Sequence, residues 1–161
     1  MLMKNGPTYQ PGEGLGAMMP LIGCMTSQIR HHVSRICKDA GYNITPEEAD
    51  TLMIIRHFDG LPQSKLASIL GKDKAAVTRL MNVLVNCGLV GRVQDQKDRR
   101  IIRAQITAEG ESAFVQIWPE LKDLSDQALS GIPVQDLACM RDVFSVINAN
   151  LKAISEKNAT L

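Results

Sequence analysis

The stretch QSKLASILGKDKAAVTRLMNVLVNCGLVGRVQDQKDRRIIRAQIT runs from Gln63 to Thr107. Its punctuation predicts two short helices, a tight link and a hairpin. LPQSKLASIL (61–70) forms the first helix, with Pro62 near its start and Leu66, Ile69 and Leu70 as its apolar positions. Gly71 breaks it. Asp73 caps the second helix, KAAVTRLMNVLVNC, where Val77, Leu80, Met81 and Leu84 recur at steps of three and four and mark a buried face. Two short helices around a glycine-containing link are the pattern of a helix-turn-helix, whose second helix lies in the DNA major groove. Any helical bundle can show the same pattern, so the next residues decide. LVGRVQ and RIIRAQIT are β-prone, and in the second Ile102, Ala104 and Ile106 alternate with Arg103 and Gln105. The polar residues DQKDR lie between them as a turn. A hairpin directly after a helix-turn-helix is a wing, so the stretch reads as a winged helix-turn-helix.

Working outward, ITPEEADTLMIIRHF (44–58) carries a helix start written in three residues. Thr45 is the N-cap, Pro46 occupies the first helical position, and Glu48 completes a capping box. Upstream, Leu15, Met18, Ile22, Met25, Ile29, Val33 and Ile36 trace one face of a long helix that Gly41 ends. Residues 1–14 are rich in Gly, Pro and polar residues and read as a flexible N-terminal arm. Downstream of the wing, Thr107 caps a helix with Glu109 and Glu111 in its first turn, where the helix dipole favours them. Its stripe is Phe114, Ile117 or Trp118, Leu121 and Leu124, and Pro119 is expected to kink or interrupt it. Gly131 and Pro133 mark a turn. The last helix carries Leu137, Met140, Phe144, Ile147, Leu151 and Ile154 in a heptad-like seam. The two terminal helices offer more apolar face than a small winged domain covers, and a dimer interface is the natural outlet.

The expected fold is therefore mainly α. A winged helix-turn-helix domain with a two-strand wing (45–106) lies between an N-terminal dimerisation helix (15–44) and C-terminal dimerisation helices (107–161). Composition agrees. The 161 residues are 45% hydrophobic but only 4% aromatic, and Leu, Ile, Val, Met and Ala supply most of the apolar surface. The formal net charge of +1 conceals a polarity. Residues 61–105 hold nine Lys/Arg against three Asp, a net of +6, and the remainder of the chain is −5. A basic middle between acidic flanks is the footprint of a polyanion-binding module. Four widely spaced cysteines form no CxxC pair and fit free thiols in a reducing, cytoplasmic protein. No apolar run reaches the ~18 residues of a membrane span.

Two segments, QSKLASILGKDKAAVTRLMNVLVNCGLVGR and DQKDRRIIRAQITAEG, resemble the MarR family of bacterial transcriptional regulators. The wing carries a D-x-R-x-x-R pattern as Asp98, Arg100 and Arg103, then a hydrophobic-Thr-x-x-Gly ending in Ile106, Thr107 and Gly110. The resemblance covers roughly residues 15–155. It implies a regulator, read here as a repressor, that binds pseudo-palindromic double-stranded DNA as a homodimer and is controlled by a ligand, expected to be a small aromatic or anionic effector, or alternatively by an oxidant. It implies groove-facing positions at Ala75, Ala76, Thr78 and Arg79, a minor-groove arginine at Arg100, and Asp98 as the acid that steadies the wing's basic side chains. Ala75 and Ala76 stand where Ser or Thr is common, so readout there would be apolar, against thymine methyls. Pro62 stands where many members have a capping Thr. Lys72, Lys74, Lys97, Arg99 and Arg103 complete the DNA-facing set, mostly toward phosphate.

Other features weigh less. His31 and His32 are adjacent on the long helix, so their side chains diverge by about 100° and cannot share a metal; they are candidates for lining an effector pocket, and no metal or cofactor is expected. Cys24 matches the position of the reactive thiol in thiol-sensing relatives, yet its neighbours Leu21, Ile22 and Met25 suggest a buried, inert thiol. No nucleophile–base pair, phosphate loop or metal cluster points to catalysis. The rival to a DNA-binding regulator is a helical protein-interaction dimer, which has no use for +6 focused on helix and wing.

Overall fold

The computed structural model describes residues 15–158, with side chains described for 18–154. The arm expected at 1–14 lies outside the described residues. The chain divides at Lys122/Asp123 into two compact units.

The first unit holds the helix-turn-helix and its wing. Helix α1 spans Leu15–Asp39 and α2 spans Pro46–His57. The α2 start is the capping box read from the sequence: the Glu48 N–H donates to Thr45 Oγ1, and the Thr45 N–H donates to Glu48 Oε2 at 2.7 Å. Strand β1 is only Leu61–Pro62. Helix α3 covers Gln63–Leu70 and ends on Gly71, whose φ of +63° is the left-handed conformation that glycine accepts without a Cβ clash. The recognition helix α4 spans Lys74–Asn86, and Asp73 caps it by accepting from the Ala76 N–H at 2.7 Å. Strands β2 (Val90–Gln94) and β3 (Ile102–Ile106) form the wing, with Val90 opposite Ile106 and Gln94 opposite Ile102.

Two details correct the sequence reading. The sheet has three strands in the order β1-β3-β2, because Leu61 and Pro62 pair antiparallel with Ala104 and Arg103. Leu61 and Pro62 are therefore strand, and the first helix starts at Gln63. Pro62 sits at the N-cap with ψ 137° and supplies no side-chain cap. Its rigid ring suits an edge strand, which loses nothing by lacking an outward N–H. Second, α5 runs unbroken through Pro119, from Ala108 to Ala128. Proline removes one intrahelical donor, but Val115, Trp118, Pro119 and Glu120 are all exposed, so water can serve the orphaned carbonyl.

The core of this unit brings α2, α3, α4, the sheet and the first half of α5 together. Ile55, Leu66, Met81, Leu84 and Leu89 are fully buried, joined by Val77, Ala104, Ala113 and Ile117. Each large aliphatic buried here contributes about 1.5–3 kcal/mol relative to exposure. The buried stripe of α4 is Val77, Leu80, Met81 and Leu84, which leaves its opposite face to solvent. Along α1 only the last turns join this core, through Val33, Ile36 and Cys37, whereas Met18, Met25 and Ile29 are exposed.

The second unit contains the end of α5 and helix α6, Val134–Asn158. The turn before α6 closes with Gly131 at φ +80°. The expected seam is only partly covered. Leu137 and Ile147 are half-buried, and Met140, Phe144, Leu151 and Ile154 are exposed.

Candidate nucleic-acid interface

The wing tip is built by two aspartates that fold the chain back on itself. Asp95 Oδ1 accepts from the backbone N–H groups of Lys97 and Asp98 at 2.8 and 2.9 Å. Asp98 Oδ1 accepts from the Arg100 N–H at 3.0 Å. Short acidic side chains that bond the backbone two residues ahead are a standard way to make a turn. The backbone closes the same loop through Asp95 N–H to Ile101 O and Ile101 N–H to Asp98 O, both at 2.9 Å. Lys97, Arg99 and Arg100 are left exposed at its crest.

Arg103 behaves differently. Its Nε donates to Asp95 Oδ2 at 2.5 Å, and its Nη1 donates to the Gly60 carbonyl at 2.8 Å. The guanidinium thereby ties the wing to the turn between α2 and β1. Hydrogen bonds from the Asp98 N–H, Arg103 and the Lys97 N–H hold the Asp95 carboxyl down at about 2, well below its ordinary 3.8. Asp95, which the sequence reading did not single out, is thus the acid bonded to a wing arginine side chain, whereas Asp98 accepts from the Arg100 backbone. The spacing D-x-x-D with basic residues following was a legible turn signal.

The recognition helix presents the face opposite its buried stripe. Lys74, Ala75, Thr78 and Arg79 are exposed and Ala76 is half-buried. Thr78 donates its hydroxyl to the Lys74 carbonyl at 2.7 Å, which spends its one donor and leaves its methyl and the oxygen's acceptor capacity. Lys72, in the link, is not free: its Nζ pairs with Glu47 of α2. Two further residues belong to this surface. Arg92 of β2 donates through Nη2 to Asn82 Oδ1 of α4 at 2.7 Å, joining wing and recognition helix.

The helix after the wing is seated by a close approach. Thr107 Oγ1 donates to Gly88 O at 2.6 Å and accepts from the Gly110 N–H at 3.0 Å, which caps α5. Gly110 lies directly against the Leu89 carbonyl, where a Cβ would overlap the oxygen. This is the physical content of the Thr-x-x-Gly ending.

A cleft of about 690 Å³ opens beside this domain, between α2, the end of α3 and α5. Met53, Ile54, Phe58, Leu70, Phe114 and Trp118 form its apolar wall. Phe114 and Trp118 stack at 5.3 Å, and the Arg56 guanidinium lies 3.9 Å from the Phe114 centroid while bonded to Glu111 at 2.9 Å. Neither His31 nor His32 lines it; they meet each other edge to face at 5.8 Å. Cys24 is exposed, contrary to the buried thiol expected, because its neighbours Leu21 and Met25 face solvent as well. Its sulfur accepts from Gln28 Nε2 at 3.2 Å. The buried cysteine is Cys37, and burial pushes its thiol pKa up. Among the described residues there is no cluster of three metal-ligating side chains, and no helix is long and apolar enough to cross a membrane.

Comparison with known proteins follows the same outline. Residues 42–101 match the MarR family, so the resemblance read from the sequence holds over the helix-turn-helix and the wing tip. An uncharacterised HTH-type transcriptional regulator of Bacillus subtilis, YdgJ, is 25% identical over 116 residues, covering 72% of this chain and 71% of that protein. A MarR protein from Peptoclostridium difficile superposes with a TM-score of 0.77 at 15% identity, over 92% of this chain and 96% of that one. The MepR–DNA complex of S. aureus gives 0.74 at 19% identity, over 82% and 96%. At these identities the solved structures share the winged-helix fold with this chain.

Proposed function

We propose that this chain, a MarR-family protein through residues 42–101, is a sequence-specific transcriptional regulator that binds double-stranded DNA as a homodimer. The observation that carries the reading is the pairing of two exposed basic surfaces. The braced tip holds Lys97, Arg99 and Arg100, and the recognition helix beside it holds Lys74 and Arg79. Phosphate contacts supply most of the affinity of such proteins, and side chains in the grooves supply specificity. Residues 45–106 act as the DNA-binding part in this reading, with 15–44 and 107–161 as dimerisation elements. The exposed apolar side chains of α1 (Met18, Leu21, Met25, Ile29) and of α6 (Phe144, Leu151, Ile154) support a second copy as their cover.

The regulator represses, and a small aromatic or anionic effector in the Phe114–Trp118 cleft relieves it. A ligand shifts such a protein only if it binds one arrangement of the two recognition helices better than the other. Selection of bound sites from random duplex DNA tests the core of this reading. The expected product is a two-fold symmetric site with half-sites about 34 Å apart. Recovery of no sequence, together with no retention on heparin, leaves the helical interaction dimer as the better account. A second reading, in which an oxidant is the effector, draws on the exposure of Cys24. Loss of operator affinity on peroxide treatment, abolished by Cys24→Ser, would favour it.

A further inference from the structure

Asn82 and Arg92 are outside the residues that the family pattern marks, yet they sit on the same outward surface. With 100° per residue, Ala75, Arg79 and Asn82 share one face of α4, opposite Val77, Leu80, Met81 and Leu84. Ala75 and Asn82 are about 10 Å apart along the axis, comparable with the ~12 Å width of the major groove. Both Asn82 and Arg92 are exposed.

The chemistry of their bond fixes what Asn82 can offer. A guanidinium only donates, so the amide atom facing Arg92 Nη2 at 2.7 Å is the oxygen. An asparagine reads adenine with both ends, accepting from N6 and donating to N7. Here the accepting end is turned to Arg92, and the Nδ2 hydrogens are what remains for DNA. Thr78 spends its hydroxyl proton on the Lys74 carbonyl. Thr78 therefore adds no donor to the outward face of α4, whose donors are the Asn82 amide and the cationic Lys74 and Arg79.

Resting on the DNA-binding reading above, we propose that Asn82 is a specificity-determining residue and that Arg92 is its positioning residue. Held by Arg92, the amide donates to a base whose major-groove edge offers acceptors, guanine through N7 and O6 or thymine through O4, and gives up the paired contact to N6 and N7 by which an asparagine favours adenine. One position in each half-site carries the preference, separate from the flanking base pairs beneath Arg100.

Site selection with purified full-length variants tests this, with thermal melts to verify folding. Asn82→Ala should erase the preference at one symmetric position, a loss of about tenfold in discrimination, and leave the others intact. Arg92→Met keeps the aliphatic stem but frees the amide oxygen, and should move that position toward adenine. Arg92→Lys retains a donor and should keep the native preference, which covers the case in which Arg92→Met fails to fold. The proposal is overturned if Asn82→Ala and the Arg92 variants weaken binding equally on all sequences with every preference unchanged, because the pair is then a structural tie or a phosphate contact. If the native protein selects no DNA at all, the DNA-binding reading falls with it, and that outcome is distinct from an unaltered preference in the variants.

Discussion

Replacing Gly110 with alanine should destabilise the protein, although the usual helix rule has the opposite sign. Alanine in a helix interior is better than glycine by about 1 kcal/mol. At Gly110, near the start of α5, the added Cβ would overlap the Leu89 carbonyl oxygen, lie 2.7 Å from Ile106 Cγ1 and 3.1 Å from the Leu89 carbonyl carbon. Two of the three obstacles are backbone, so no rotamer change relieves them. The helix must move off β2 and β3, which strains the Thr107 bonds to Gly88 and to Gly110 itself. Overpacking a filled core costs typically 1–3 kcal/mol, and a rigid carbonyl places this site at the upper end or beyond. One weakened, part-buried hydrogen bond adds about 1 kcal/mol. Against the ~1 kcal/mol propensity gain, the net loss is roughly 2–3 kcal/mol. For a chain of this size that lowers Tm by about 4–12 °C. Gly23 in α1 has nothing within 4 Å of its would-be Cβ and should show the ordinary sign, a gain of about 0.5–1 kcal/mol. Urea and thermal unfolding followed by circular dichroism measure both. A Gly110→Ala protein as stable as the native one would refute the claimed close approach.

The other expectations concern the wing and the terminal helices. Asp95 has a folded pKa below its ordinary 3.8, so its contribution to stability is complete above that value and is lost as pH falls through it toward about 2; Asp95→Asn should flatten the acid side of the stability profile over that window. Arg100→Ala should weaken operator binding and relax the A·T preference of the flanking base pairs, because an arginine in a narrow minor groove reads its potential. Lys97→Ala should weaken binding evenly on all sequences and reduce the slope of log K against log salt by ~1, in titrations at several salt concentrations. Asp98→Ala should also weaken binding despite removing a negative charge, since its carboxylate holds the Arg100 N–H; tighter binding would mean that bulk charge alone matters. Changing Ile147 and Leu151 together to Asp should abolish the dimer in sedimentation experiments, and a stable DNA-binding dimer after that change would exclude α6 from the interface.

The parts of the fold that were legible in the sequence are those fixed by neighbours in the chain. Thr45 and Glu48 make their capping box within four residues, Asp73 caps α4 within three, and Gly71 ends α3 in place. The stripe Val77, Leu80, Met81 and Leu84 follows from the helical period and is buried as expected. What escaped depends on residues far apart. The strand at Leu61–Pro62 exists only because β3 arrives beside it, forty residues later in the chain, and two residues carry no period of their own. Arg103 reads as one more base in a charged run until its bond to Gly60 is seen. Lys72 likewise reads as a phosphate contact until Glu47 is found next to it. Cys24 was misjudged because apolar sequence neighbours on one helix do not make a core; a second element must cover them.

Charge bookkeeping on the basic middle separates two kinds of residue. Lys72, Arg92 and Arg103 are committed to partners within the protein, Glu47, Asn82, and Asp95 with Gly60. They tie the link to α2, the wing strand to α4 and the wing base to the turn between α2 and β1, all inside the first unit. The charged side-chain groups of Lys65, Lys74, Arg79, Lys97, Arg99 and Arg100 enter none of the side-chain hydrogen bonds or ion pairs found among the described residues, and all six residues are exposed. A fold selected for stability alone gains nothing from six like charges gathered on helix and wing, since each repels the others and none is compensated. Phosphates on a duplex would compensate all of them at once, and release of the duplex's condensed counterions would supply the driving force. On the proposed DNA-binding function, the committed three set geometry and the uncommitted six would supply affinity, which is how a chain of net charge +1 would carry a surface suited to DNA.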